Sequence, residues 1–288
     1  MANGGRLNAR QNVKALVVHA LLIGAVIYAL YPVLWVLTVA FSRDGLGTDG
    51  FVLPWPRHWT FANFAIATGA STGKSALFFR QLVNSLTVSA STALLSIAIA
   101  APAAYALARM QFVGKRTGLS GLMLTQMFPT VASAVPLYFI LSQLHLLDRR
   151  AGLVVAYSAT ALPFAIFQLK AAFEAIPVEL EEAAMVDGAT RFEAFVRVVL
   201  PVARPALAVT ALFAFMSAWN EFVLAATLMS REEAFTLPVV LQRFVGEHSA
   251  AWGPFAAGSI VVSIPVMAIF YIAQKQLLSG LTAGSVKG

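Results

Sequence analysis

Residues able to do chemistry are sparse in this chain. The four histidines, His19, His58, His145 and His248, are scattered, and no H-E-x-x-H pair marks a metalloprotease. With no cysteine at all, disulfides, thiolate nucleophiles and Cys-ligated zinc are excluded together. The run Gly69-Ala70-Ser71-Thr72-Gly73-Lys74-Ser75 comes nearest to a nucleotide site. A phosphate-binding loop needs four residues between its glycines and a strand before it. Here three residues separate the glycines, and no strand pattern precedes them, so a polar external loop is the better reading. No catalytic residue, metal or cofactor is expected in this chain; if ATP powers it, another chain hydrolyses the nucleotide.

Two places hold ionisable residues that call for a partner. The first is the stretch 176–201, IPVELEEAAMVDGATRFEAFVRVVLP, with Glu179, Glu181, Glu182, Asp187, Arg191, Glu193 and Arg197. Pro177 suits a first helical turn, the acids at 179, 181 and 182 suit the positive end of a helix, and Ala183-Ala184 favour helix. Asp187-Gly188 supplies a turn, and Thr190 with Glu193 makes a capping box for a second helix running to Pro201. The small residues Ala183, Ala184, Gly188 and Ala189 leave a smooth face against which a partner could pack; a solvated amphipathic loop is the other reading. The second place is Glu221, beside Trp219 and Asn220 inside an apolar run. A carboxylate in hydrocarbon is costly and must face a cavity or a partner. Trp219 and Asn220 could stack on and hydrogen-bond a sugar, or all three could make a polar contact between subunits or between packed helices.

The elements that must position these residues are membrane spans. Of 288 residues 59% are hydrophobic and 11% charged, against roughly a quarter charged in soluble domains. Six uncharged or nearly uncharged runs, at about 14–41, 82–108, 118–144, 151–173, 205–229 and 255–277, reach the length of about 18 or more residues that crosses a bilayer. Barrel strands would be shorter and would alternate in polarity. The fold class is therefore an all-α integral membrane protein of six transmembrane helices, in a single domain 1–288.

With both termini cytoplasmic, Arg6, Arg10, Lys14, Arg109, Lys115, Arg116, Lys170, Arg191, Arg197, Arg204, Lys275 and Lys287 fall inside, 12 of the 20 Lys and Arg. This is the sign that orientation by positive charge requires. Arg149-Arg150, in the short loop between spans three and four, runs against it. The net charge of +7 thus serves orientation, and nucleic acid is not an expected partner. The segment 174–204 becomes a cytoplasmic loop, and 42–81 an external one.

In that loop the sequence resembles the permease subunits of ABC importers. Glu182-Ala183-Ala184, then Asp187-Gly188-Ala189, and later Leu200-Pro201 match the family's EAA motif without gaps. The resemblance covers nearly the whole chain and is closest to carbohydrate permeases of the maltose and maltodextrin type. Arg109-Met110-Gln111-Phe112-Val113-Gly114-Lys115, Trp219-Asn220-Glu221-Phe222 and the ending Gly280-Leu281-Thr282-Ala283-Gly284-Ser285-Val286-Lys287-Gly288 look like that group.

The resemblance implies a type I ABC importer permease fold in the bacterial cytoplasmic (inner) membrane, translocating a sugar. It implies as partners a second, non-identical permease, two ATPase subunits that bind ATP and Mg, and an extracytoplasmic solute-binding protein. Glu181, Glu182, Ala183, Ala184, Asp187, Gly188, Ala189, Leu200 and Pro201 would form the ATPase-coupling surface, with Glu182 paired to a basic ATPase residue. Arg243, Glu247 and His248 would contact the binding protein, and Gly284, Lys287 and Gly288 the ATPase pair. The external aromatics Trp55, Trp59, Phe61 and Phe64 could anchor the membrane interface or share in docking. An ion-coupled secondary transporter is the alternative, for which Glu221 is the one ionisable residue near mid-membrane.

Overall fold

The computed structural model describes residues 4–43, 55–56, 58–246 and 250–285, with side chains described for 14–43, 55–56, 58–246 and 250–274. Among them there is no strand, only isolated bridges between Ser42 and Trp59 and between Val245 and Ala250. In chain order the helices are α1 Gly4–Phe41, α2 Ala62–Ala67, α3 Ser75–Arg109, α4 Lys115–Met127, α5 Thr130–Gln143, α6 Arg150–Glu174, α7 Glu179–Val186, α8 Arg191–Ala194, α9 Leu200–Val202, α10 Arg204–Trp219, α11 Val223–Leu228, α12 Leu237–Gln242 and α13 Trp252–Ser285.

Four stretches are long and apolar enough to cross a membrane unaided: Lys14–Phe41, Ser75–Arg109, Arg150–Glu174 and Trp252–Gln274. Two further pairs qualify only if each bent pair is one span, α4 with α5 at 102° and Arg191–Val202 with α10 at 77°. The continuous run expected at 118–144 is therefore broken. Pro129 lacks an N–H and disfavours helix at Phe128, whose ψ of 128° is extended. The run expected at 205–229 is also interrupted, since α10 ends at Trp219 and α11 starts at Val223.

The chain forms two compact units, 1–75 with 241–261, and 76–240 with 262–288. In the first, Val39 and Ala40 of α1 pack with Ala67, Ala256 and Ala257. Asn63 closes the end of α1, its Nδ2 donating to the carbonyls of Ala40 (3.0 Å) and Ser42 (2.9 Å). A Cβ at Gly253 would lie 2.7 Å from the Asn63 amide and would have to displace it from these carbonyls. Phe41 gathers Trp59, Phe61 and Phe64 at centroid distances of 4.8–5.7 Å.

The second unit carries two apolar clusters. One joins Val88, Leu141, Leu153, Tyr157, Leu224 and Leu228. The other joins Ala100, Ala104, Leu169, Phe173, Phe195 and Val199. Both are rich in alanine, which lets helices approach closely where lipid supplies no hydrophobic drive.

Candidate functional site

The segment 177–201 folds as helix, turn and helix, each boundary having a local cause. Helix α7 carries Glu179, Glu181 and Glu182 in its first turn, where the helix dipole favours negative charge. It ends in a Schellman motif. Gly188 adopts φ +94, its N–H donates to Met185 O (3.1 Å), and the Ala189 N–H donates to Ala184 O (3.0 Å). The four-residue step from Ala184 to Gly188 is thus the spacing of a helix end.

Thr190 then caps α8 in a complete capping box with Glu193. Phe195–Val199 follows as a π turn. Pro201 has no N–H to give to the carbonyl of Arg197 and its ring crowds that carbonyl; the wider turn makes the room.

One acid of α7 turns inward. Glu181 is 3% exposed; its Oε1 accepts from Arg109 Nε (2.6 Å) and its Oε2 from the Tyr105 hydroxyl (2.7 Å). Arg109 also donates through Nη2 to the carbonyl of Ile176 (2.7 Å), just before α7. The last turn of α3 therefore holds both the entry to α7 and its first turn. Tyr105 packs against Phe195 beyond the turn, at 4.5 Å between ring centroids.

Glu182, Ala183, Asp187 and Gly188 are exposed, and Ala184 and Ala189 partly so. Among the described residues no ion pair engages Glu182. Val178, Leu180 and Val186 are exposed beside it. Leu200 packs against the apolar cluster of Phe173, Phe195 and Val199, and Pro201 is half-buried.

Trp219, Asn220 and Glu221 lie together at the break after α10, but they are occupied. Trp219 is 3% exposed and stacked on Phe215 at 5.6 Å. Asn220 turns its amide back to Met216 O (2.9 Å). Glu221 accepts from the Leu224 N–H (2.9 Å) and the Ala225 N–H (3.1 Å). Of the two expected readings, a sugar contact or a packing contact, the bonds present are local ones, in which the carboxylate satisfies the first free amides of α11. An ion-coupled transporter would need that carboxylate for its ion.

Over residues 94–282 the sequence matches the model of the family described as binding-protein-dependent transport system inner membrane component. The chain belongs to this family. It is 37% identical over 284 residues to the trehalose transport system permease protein SugB of Mycobacterium tuberculosis, covering 98% of this chain and 100% of that one. It is 36% identical over 270 residues to the maltose/maltodextrin transport system permease protein MalG of Vibrio parahaemolyticus, covering 90% and 91%. The structure resembles a bacterial ABC transporter involved in import of the acidic polysaccharide alginate, with TM-score 0.74, 27% identity and coverage of 92% and 97%. This protein is thus an inner-membrane, multi-pass permease of the carbohydrate ABC-importer class.

Arg243 follows α12 and is exposed; Glu247 and His248 lie outside the described residues. Gly284 is in α13, while Lys287 and Gly288 lie outside the described residues. The Gly69–Ser75 run forms a 3-10 turn, Ala70–Thr72, between α2 and α3. Gly69-Ala70-Ser71-Thr72-Gly73 also has the G-x-S-x-G spacing of a serine nucleophile elbow, which requires a strand before it; here α2 precedes it.

Sequence reasoning missed a polar rim at the other end of α3. Gln81 Nε2 donates to Glu232 O (2.9 Å), and Asn84 Nδ2 to Glu233 O (2.8 Å) and Phe235 O (3.0 Å). The Leu237 N–H donates to Ser85 Oγ (2.8 Å). Asp148 Oδ1 accepts from the N–H groups of Ser230 and Arg231. The signal was present as polar residues at 81, 84 and 85 on one helical face of an otherwise apolar run.

Proposed function

We propose that this chain, acting as one permease domain over 1–288, pairs with a second, non-identical permease and is driven by two ATPase subunits that bind ATP and Mg. An extracytoplasmic binding protein delivers the solute. In this reading α7 is the coupling element, with Glu182, Ala183, Ala184, Asp187, Gly188 and Ala189 against the ATPase. The observation that supports it is the division of labour on α7: Glu181 ties the helix to α3, while Glu182 and its apolar neighbours Val178, Leu180 and Val186 stand free. A helix fixed to a long span on one side and unpartnered on the other can pass a push from a docked chain to that span.

The solute is a neutral disaccharide or short oligosaccharide of the trehalose and maltose kind. SugB and MalG, the relatives carrying those sugars in their names, match nearly end to end, which supports the class and leaves its member to measurement. The path through the bilayer is lined jointly with the second permease, and the 219–221 break acts in it as a joint.

The test is copurification from the native membrane followed by reconstitution. Glu182→Ala inserts normally, yet loses the ATPase subunits or uncouples hydrolysis from uptake, since removing one member of a buried interfacial charge pair costs about 2–5 kcal/mol. Unchanged ATPase recovery and sugar uptake in that variant would defeat the assignment.

A further inference from the structure

At the rim end of the second unit, a cavity of about 290 Å³ is lined by Arg80, Asn84, Asp148, Arg150, Arg231, Glu233 and Ala234. Three arginines from three separate elements line it, with two acidic residues, Asp148 and Glu233. Asp148 is already committed: its Oδ1 takes two backbone N–H groups, and its Oδ2 lies 3.9 Å from Arg231 Nε. Arg80 and Arg150 have no ion pair among the described residues.

The walls are built rather than incidental. Gln81, Asn84 and Ser85, each at most 4% exposed, stitch the segment 232–237 to α3. Asp148 holds a backbone φ of +56, a left-handed conformation that few residues besides Gly, Asn and Asp adopt readily, while it fastens 230–231 to the turn before α6. Gly152, in the first turn of α6, is required against that loop, since a Cβ there would lie 2.3 Å from Leu146 O. Charge placement points the same way. In the proposed orientation this rim is extracytoplasmic, where short loops tend to be poor in arginine, yet Arg149-Arg150 sits in one.

We propose that this pocket receives an acidic side chain of the extracytoplasmic solute-binding protein, whose carboxylate lies between Arg80 and Arg150. Guanidinium pairs match carboxylates in a bidentate geometry that a lysine cannot reproduce. Because the walls are preformed, ordering costs little on docking. The proposal rests on the importer reading above and adds to it the site and the charge of the contact.

The experiment uses the complete transporter in nanodiscs with its binding protein, following stimulated ATP hydrolysis against binding-protein concentration at low and high salt. Arg80→Glu with Arg150→Glu is expected to raise the half-maximal concentration at least tenfold and to flatten its salt dependence, in a complex that still copurifies whole. Arg150→Lys introduces an amine, and a carbodiimide should then join it to an Asp or Glu of the binding protein, identified by mass spectrometry.

An unchanged half-maximal concentration, or cross-links only within the permease, overturns the proposal. So does loss of uptake with normal stimulation, which would assign the pocket to an anionic solute. A wild-type complex indifferent to any binding protein would instead overturn the importer reading itself, and the pocket's occupant with it.

Discussion

Glu181 and Glu221 are two carboxylates set in apolar surroundings of the same unit, and the chain answers them in opposite ways. Glu181 is met by Arg109 and Tyr105, more than 70 positions away in sequence. Glu221 is met by backbone amides three and four positions further on. The first solution is tertiary: it can exist only when α3 and α7 are docked, so it transmits position between them. The second is mostly local: its two amide donors move with α11 as a body, while the Tyr157 hydroxyl of α6 lies close enough to the carboxylate to interact with it. A buried carboxylate can thus weld two elements or permit a joint, according to where its donors come from.

The sharpest way to break this contrast is at Arg109. Arg109→Met leaves Glu181 buried without its cation, at a cost of about 3–5 kcal/mol, read as a fall in thermal stability in detergent. The double variant with Glu181→Met should recover much of that stability, since apolar pairs of similar volume replace buried ion pairs without loss. It should still import less sugar per ATP, because a directional contact has gone. A double variant less stable than Arg109→Met would show that the weld is not the pair.

Next in size is Gly188→Val. Its φ of +94 lies in the left-handed region, where a β-branched residue costs about 1–2 kcal/mol, although nothing stands within 4 Å of the added Cβ. The penalty is therefore conformational, and Gly188→Asn should recover most ATPase copurification. Equal loss in both variants would point to a surface that rejects any side chain.

Glu221 gives a smaller effect. Glu221→Ala removes a cap worth about 0.5–2 kcal/mol, and Glu221→Gln retains one acceptor and most of the stability. In neither should the half-saturating sugar concentration move much. A tenfold rise with stability intact would return Glu221 to the translocation path.

The same contrast explains what could be read beforehand. Helix ends were legible wherever their cause is local. The Thr190–Glu193 box, the Gly188 turn and the apolar lengths of α1, α3, α6 and α13 all follow from neighbours in sequence. Glu181 and Glu182 were not separable, because adjacent acids on one helix look alike until Arg109 arrives from α3. The break at Phe128–Pro129 was in plain view as a proline, yet hydropathy alone carried the run through it. The external rim was missed because its acceptors are backbone carbonyls of 232–235, which no side-chain pattern announces.

The smallest expected effect concerns the capping box itself. The Thr190 N–H (2.9 Å) and its hydroxyl both donate to the Glu193 carboxylate, with Arg197 3.3 Å away. These contacts, the backbone N–H first, hold the Glu193 carboxyl below its ordinary value of 4.5. A carboxyl lowered in the folded state stabilises fully above its unfolded value, and that contribution is lost as pH falls through the lowered one. Amide protection across 190–199, corrected for intrinsic exchange, should therefore hold at neutral pH and decline only under acid conditions. Glu193→Gln should remove the decline and leave a pH-independent cap. Because Glu193 lies on the surface, the change should stay confined to α8 and leave the Glu181 weld untouched. Loss of protection in α7 over the same pH range would mean that the weld and the cap open together, as one unit.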